Sequence, residues 1–162
     1  MTTVTDVTDV PVRKTITVSA SPDRAFKVFT EGFDTWWPRT HHIGKGALEK
    51  AVIETKLGGR CYGREADGTE CPWGTVLIWE PPHRFVIAWQ ITHDWRYEPD
   101  LARSSEVEIT FTPEVGGTRV DLEHRFFNRM GPTGATMRVG VDSPDGWSGL
   151  LRLFKERVEQ SS

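Results

Sequence analysis

Histidine and tryptophan side chains occupy positions where this sequence is expected to point into the protein interior. His124 alternates with Val120, Leu122 and Phe126 along the segment Thr118–Phe127, which predicts that all four lie on the apolar face of one strand. A buried imidazole costs free energy unless it is hydrogen-bonded or faces a wet cavity. His124 is therefore either a core histidine with a hydrogen-bond partner or a group that orients a ligand in a cavity. We include it, with Phe126, in the predicted ligand-binding set.

The chain has seven tryptophan residues, which is a large number for its length. Five of them are predicted on inner faces and join the ligand-binding set, namely Trp36, Trp37, Trp79, Trp89 and Trp147. The other two, Trp73 and Trp95, fall near strand ends or in loops. Large aromatic side chains are usually core residues. Because so many indoles are hard to pack at native density against one sheet, some of them are predicted to line a pocket.

Two adjacent histidines, His41 and His42, lie in a glycine-containing segment, Thr40–Lys50, that is typical of a loop over the sheet. Neighbouring histidines point in different directions on a regular element. No metal-ligand spacing joins them to a cysteine pair or to a second histidine motif, so no metal site is predicted. We expect the loop to form the mouth of the pocket, with His41 or His42 reaching inward as a hydrogen-bond donor.

Other patterns that could carry chemistry are incomplete. The segment Gly146-Trp147-Ser148-Gly149 resembles a nucleophile elbow, but that motif needs a second glycine where this chain has Leu150, and a strand before it. The segment Gly44-Lys45-Gly46 lacks the remaining glycine of a dinucleotide fingerprint. Cys61 and Cys71 have no catalytic signature around them and are expected to be free thiols. The sequence therefore predicts neither catalytic residues nor a cofactor.

The helices and strands that must position these side chains can be predicted from hydrophobic periodicity and from the residues that typically begin or end such elements. Ser21 and Pro22 begin a helix that Gly32 ends, and a short turn with Phe33, Trp36 and Trp37 follows. A long amphipathic helix is predicted over Ser143–Gln160, with an apolar face formed by Trp147, Leu150, Leu151, Phe154 and Val158. Strands are predicted at Val12–Ser19, Ala51–Leu57, Arg60–Glu65, Gly74–Glu80, Arg84–Ile91, Glu106–Thr112 and Thr118–Phe127.

The length and the net charge of the chain limit the classes of protein to which it can belong. A chain of 162 residues is about the size of one domain, which we place at residues 12–160 after a loose tail, residues 1–11. A net charge of −3 and a pI near 6.0 do not support nucleic-acid binding. The segment Met1–Val10 is neither a signal peptide nor a membrane span, so a cytoplasmic protein with no membrane partner is expected.

The order of these elements, with several short sequence features, resembles the SRPBCC superfamily, also called START-like or Bet v-like. Within it the chain is similar to the branch homologous to the C-terminal domain of the heat-shock-protein-90 ATPase activator. The resemblance extends over about Val12 to Val158. The residues that carry it are Ser21-Pro22, Phe26, Phe29, Trp36-Trp37, Gly58-Gly59, Gly74, Glu80-Pro81-Pro82, Trp89, Gly117-Thr118, His124, Gly146-Trp147, Leu150 and Leu153. The resemblance implies an α+β helix-grip fold, in which a curved antiparallel sheet surrounds a long C-terminal helix and two short helices follow the first strand.

The predicted aromatic lining and the helix-grip fold together favour binding of a hydrophobic or aromatic small molecule between the sheet and the C-terminal helix. The superfamily includes lipid carriers, hormone receptors, polyketide cyclases and chaperone activators, so fold alone does not choose among them. Two alternatives therefore stay open. One is an interaction module that contacts a chaperone partner, with a role in stress response. The other is a cyclase or hydrolase that uses the same cavity. The oligomeric state is not predicted.

Overall fold

A computed structural model describes residues 7–160. The first part of the predicted tail, residues 1–6, lies outside the described residues. The second part contains a single 3₁₀ turn, Val7–Asp9, in which the Thr8 side chain is buried. None of the helices between residues 7 and 160 is long and apolar enough to cross a membrane.

A curled antiparallel sheet of seven strands forms the frame of the protein. Its strands are β1 Val12–Val18, β2 Leu48–Ile53, β3 Arg60–Glu65, β4 Glu70–Glu80, β5 Arg84–Trp89, β6 Ser105–Glu114 and β7 Gly117–Arg125. Their order across the sheet is β1-β7-β6-β5-β4-β3-β2. The first strand thus pairs with the last strand, at one edge of the sheet.

The hairpin of β6 and β7 has the alternation that the sequence predicts. Ile109 pairs with Leu122 and Val107 pairs with His124, and all four side chains are buried on one face. Gly116 makes the turn between the strands with a φ of 82°, a left-handed conformation that glycine adopts without steric cost.

Two short helices follow β1, as predicted. Helix α1, Pro22–Thr30, begins after Ser21, whose side-chain oxygen accepts a hydrogen bond from the Arg24 backbone N–H at 3.2 Å. Helix α2, Phe33–Trp36, follows directly. Both helices turn aromatic side chains towards the concave face of the sheet, where Phe26 and Phe29 meet Phe85 and Phe111.

The C-terminal region differs from the single helix Ser143–Gln160 of the sequence prediction. Helix α3, Gly134–Asp142, precedes it, a wide turn spans Pro144–Ser148, and helix α4 is Gly149–Gln160. The helix cannot begin at Ser143 because Gly146 has a non-helical backbone, with φ −86° and ψ −136°. Helix α3 was not predicted because its two glycines and few apolar residues give it little periodicity.

Helix α4 closes the concave side of the sheet. Its buried face consists of Leu150, Leu151, Phe154 and Val158. The Phe154 ring lies 4.9 Å from the ring of Phe29 on α1, which joins the two helices through the core. The helix-grip fold is thereby confirmed.

The strand boundaries shift most beside the loop after β2. The chain leaves the sheet after Ile53, although the prediction extends this strand to Leu57. The Glu54 carboxylate accepts a hydrogen bond from the Arg60 backbone N–H at 2.7 Å, which stabilises a turn at residues 54–59. Strand β4 in turn begins at Glu70, earlier than the predicted Gly74, because it starts directly after the Asp67-Gly68 turn.

Candidate ligand-binding cleft

A cleft of about 810 Å³ opens at one end of the molecule, between the sheet and the C-terminal helices. Three parts of the chain form its walls: the loop at residues 37–43, the end of β5 with the loop that follows it, and the junction between α3 and α4. The volume lies within the range of small-molecule sites in proteins, about 300–1,000 Å³.

Four indole side chains line this cleft. They belong to Trp37, Trp89, Trp95 and Trp147, and apolar side chains such as Ile43, Ile91, Val141 and Leu150 lie between them. The Trp147 ring lies 5.5 Å from Trp89 and 6.4 Å from Trp37, with interplanar angles of 61° and 60°. Trp95 is half exposed and lies at the rim. The result is a largely aromatic surface with flat faces and edges.

Hydrogen bonds hold two of these indoles in place. The Trp37 Nε1–H donates to the His41 carbonyl oxygen at 2.8 Å. The Trp147 Nε1–H donates to Nδ1 of His124 at 3.0 Å. Trp73, which stands behind Trp37, stacks against it with ring centres 6.0 Å apart and planes within 8° of parallel. These contacts restrict the rotamers of the walls, so a ligand meets a preformed surface.

The indole N–H of Trp89 differs from those two. It is buried and has no hydrogen-bond partner among residues 7–160. A buried donor that stays unpaired costs about 1–3 kcal/mol. Trp89 lines the cleft with other atoms of its side chain, and its N–H has no exposed surface.

His124 supports the cleft from behind and does not belong to its lining. The imidazole is completely buried, and both of its nitrogens are engaged. Nδ1 accepts from the Trp147 indole, so Nε2 carries the proton and donates to the Ser105 hydroxyl oxygen at 2.8 Å. Burial lowers the pKa of His124 to about 3, which keeps the ring neutral. This arrangement is that of a core histidine with partners, one of the two alternatives left open by the sequence.

His41 connects two walls of the cleft. Its Nε2 lies 3.0 Å from the carbonyl oxygen of Asp145 in the turn between α3 and α4. A carbonyl can only accept, so Nε2 carries the proton and Nδ1 accepts from the Thr40 hydroxyl at 3.1 Å. His42, the next residue, also borders the cleft, but its Nε2 contacts the Glu65 carboxylate at 3.0 Å.

The cleft brings together five of the nine residues predicted to bind ligand: Trp37, His41, His42, Trp89 and Trp147. The other four lie elsewhere. His124 is behind the wall, as described. Trp36 packs between Phe29 and Phe154 in the core, and Trp79 packs against Phe26 away from the cleft.

Phe126 also lies outside the cleft, and its predicted inward orientation is wrong. Strand β7 ends at Arg125, and Phe126 adopts a left-handed φ of 65°, which breaks the alternation. Its ring is 40% exposed and is covered by the Arg129 guanidinium, 4.2 Å from the ring centre. The next residue, Phe127, is completely buried in the position predicted for Phe126.

Several lining residues carry no clear signal in the sequence. Trp95 lies in a loop without periodicity and has a positive φ of 62°. Val141 belongs to the helix that was not predicted, and Asp145 belongs to the turn predicted as helix. These positions could be assigned to the cleft only once the packing of α3 was known.

Comparison with known families agrees with this architecture. Residues 19–159 match the family described as "Activator of Hsp90 ATPase homolog 1-like protein". The chain belongs to this family. The matched residues include strands β2 to β7 and the helices that form the cleft, and the family confirms the SRPBCC resemblance.

Solved structures of related proteins extend the comparison. The anthrahydroquino-gamma-pyrone synthase Txn09, solved with a compound denoted SUM, is 38% identical over 91% of this chain and 96% of its own, with a TM-score of 0.64. The self-sacrificing resistance protein CalC from Micromonospora echinospora is 32% identical over 95% of this chain and 99% of its own, with a TM-score of 0.67. The Aha1 dimer from Colwellia psychrerythraea, at 15% identity and a TM-score of 0.61, shares the fold. No curated protein sequence matches the chain.

Proposed function

We propose that this protein binds a flat, largely apolar aromatic molecule in the cleft. The observation that carries the proposal is the wall of four indoles around a space of about 810 Å³. Aromatic faces and edges gain most from flat aromatic partners, which pack closely against them in stacked or edge-on geometry. A flexible aliphatic chain would lose more conformational entropy on binding and would match these flat surfaces less well.

The polar groups around the cleft suggest that the ligand carries oxygen atoms. The Trp89 N–H has no exposed surface, so a carbonyl or hydroxyl oxygen would reach it only after a small shift of the ring, and pairing would then remove the cost of leaving this donor unpaired. The hydroxyl of Thr40 and the imidazole of His41 lie in the same lining. An aromatic molecule with quinone, phenol or pyrone oxygens has the matching chemistry.

The relative Txn09 supports the same class of ligand. Its name as an anthrahydroquino-gamma-pyrone synthase describes a product with fused aromatic rings and ring oxygens, and its sequence is 38% identical to this chain. This name also favours a second candidate function, ring closure of a bound aromatic precursor. In such a reaction the cleft would act by holding the reacting groups close together. The family description keeps stimulation of a chaperone ATPase as a further alternative.

Gly140 provides a way to test the binding proposal without changing any of the four indoles. It lies on α3 and lines the cleft, and a Cβ added there would be 3.9 Å from the Trp95 ring, an ordinary contact. Gly140→Leu is therefore expected to fill part of the cleft, whereas Gly140→Ala should leave it nearly unchanged. The two variants form a matched pair, because both replace the same helical glycine.

The experiment is calorimetric titration with 1,4-dihydroxyanthraquinone as the probe and palmitate as the aliphatic comparison. The wild-type chain and Gly140→Ala should bind the anthraquinone saturably, and palmitate more weakly. Gly140→Leu should lose at least about tenfold in affinity, equivalent to about 1.4 kcal/mol. Equal affinity of both variants would place the ligand outside the cleft. Stimulation of a chaperone ATPase with no ligand response would favour the protein-partner alternative, and turnover of an open-chain aromatic precursor would favour ring closure.

A further inference from the structure

A second polar group lies next to the cleft, between the loop that contains His42 and the β3–β4 hairpin. It consists of His42, Glu65 at the end of β3 and Cys71 near the start of β4. One donor atom from each residue, a ring nitrogen, a carboxylate oxygen and a thiol sulfur, lies within 4.8 Å of the others. The His42 and Glu65 side chains are each only 8% exposed. One residue of the loop and two residues of the hairpin thus bring their ligand atoms together.

Gly44 keeps the space beside these three atoms open. A Cβ added at Gly44 would lie within 2.7 Å of the Cys71 sulfur, the His42 Nε2 and a Glu65 oxygen at once. Any side chain at this position would therefore collide with all three groups. The neighbouring Gly46 N–H donates to Glu65 Oε2 at 2.6 Å, which fixes the carboxylate against the loop. The ring of His42 lies over Gly63, where a Cβ would come within 2.9 Å of its Nδ1.

We propose that His42, Glu65 and Cys71 form a binding site for a divalent transition-metal ion, with Zn²⁺ as the best fit. Zinc accepts nitrogen, sulfur and carboxylate ligands together, at distances of about 2.0–2.3 Å. The 3.0 Å between His42 Nε2 and Glu65 Oε2 is a hydrogen-bond distance, and the two atoms need to separate by only about 0.4 Å to reach the spacing of two ligands on one tetrahedral ion, about 3.4 Å.

Charge is consistent with this choice of ion. A thiolate and a carboxylate together carry two negative charges, which balance one Zn²⁺ in a partly buried site, and the neutral imidazole adds a third ligand. Calcium and magnesium are poor candidates because they prefer oxygen ligands. Three protein ligands leave a fourth tetrahedral position for water or another small ligand.

The ion would connect the loop to the sheet. His42 lies in the loop at residues 37–47, which also supplies Trp37 and His41 to the wall of the cleft, whereas Glu65 and Cys71 belong to the hairpin. Sequence spacing gave no indication of this site, because His42 and Glu65 are 23 positions apart and meet only through the fold. The site does not depend on the proposed ligand of the cleft.

The test measures metal binding to the full chain after removal of any affinity tag and dialysis against a chelator. Zn²⁺ affinity is measured by competition with a chromophoric chelator, and Co²⁺ serves as a spectroscopic probe of the sulfur ligand. We expect one ion per chain with a Kd below about 1 μM, and a thiolate-to-cobalt charge-transfer band in the near ultraviolet. Cys71→Ser should abolish this band.

Loss of a residue that only hydrogen-bonds to a metal ligand typically lowers metal affinity about tenfold to a hundredfold, and loss of a direct ligand should lower it more. Both Cys71→Ser and Glu65→Gln are therefore expected to lose at least about a hundredfold in Zn²⁺ affinity. Gly44→Ala should do the same although it removes no ligand. Cys61→Ala is the matched control, because Cys61 is a buried thiol on the neighbouring part of β3 outside this group.

Three results would overturn the proposal. The first is a wild-type chain that binds Zn²⁺ no more tightly than the Cys71→Ser variant. The second is a charge-transfer band that persists in Cys71→Ser but disappears in Cys61→Ala. The third is unchanged affinity in Glu65→Gln, which retains the shape of the carboxylate and so provides the test even if Cys71→Ser folds poorly. Circular dichroism of each variant verifies that the fold is retained.

Discussion

Acid should destabilise this protein in part through one residue, His124. The imidazole is completely buried and its pKa is lowered to about 3 from an ordinary value of 6.5, because burial disfavours the charged ring. Below pH 6.5 the unfolded chain binds a proton at this position and the folded chain does not. Stability must therefore fall as the pH falls through 6.5, and continue to fall until the pH reaches the folded pKa.

The size of the effect follows from the same values. Each pH unit between the two pKa values costs about 1.36 kcal/mol, so lowering the pH from 7 to 5 should remove about 2 kcal/mol of unfolding free energy through His124 alone. His124→Gln removes the titrating ring but retains an acceptor for the Trp147 indole and a donor for Ser105. At pH 7 this variant should be less stable than the wild type by about 1–3 kcal/mol, the cost of imperfect buried hydrogen bonds.

Urea unfolding of both proteins at pH 7, 6 and 5, followed by tryptophan fluorescence, measures this difference. The gap between wild type and His124→Gln should shrink by about 2 kcal/mol over this range. Protonation of carboxylates also lowers the unfolding free energy in acid, but it does so equally in both proteins and cancels in the difference between them. His83→Gln is the control, because it removes an exposed imidazole that meets solvent in both states. A gap that stays constant from pH 7 to 5 would refute the assignment of His124 as a buried neutral ring.

Two pairs of substitutions test the packing of α4 and of the end of β7. Phe154→Ala should cost about 3–5 kcal/mol in chemical denaturation, because this ring is completely buried against Phe29, whereas Leu153→Ala on the half-exposed side of α4 should cost less than about 1 kcal/mol. Similar costs for the two variants would mean that α4 is not docked by its Phe154 face. At the end of β7, Phe127→Ala should also cost about 3–5 kcal/mol, and the exposed Phe126→Ala much less, measured in the same way. The reverse order would contradict the left-handed break at Phe126.

Much of the fold could be predicted because its determinants are local. The β6–β7 hairpin follows from strict alternation of apolar and polar residues around Gly116-Gly117, and the start of α1 follows from Ser21 and Pro22. These features depend on side-chain periodicity and on the conformational preferences of one or two residues. Both can be recognised from residues that are neighbours in the sequence. The family resemblance rested on the order of such elements and was also confirmed.

The candidate site could be predicted only in part, because periodicity tells which face a residue occupies and not what lies opposite it. His124 was placed on the inner face, and the structure agrees, but its two partners, Ser105 and Trp147, come from another strand and from the turn before α4. The left-handed backbone of Phe126 ends the alternation of β7, so the Phe126 ring faces outward and the Phe127 ring is buried instead.

The sequence by itself therefore determined the strands, the first helices and most of the buried aromatic residues. Only the tertiary structure decided which of those aromatics line the cleft, because the cleft lies where three distant segments meet. The same holds for His42, which is 23 positions from Glu65 and meets the ligand atoms of Glu65 and Cys71 only when the loop packs on the hairpin. Sites of this kind depend on distances between elements, and no local pattern of residue types records those distances.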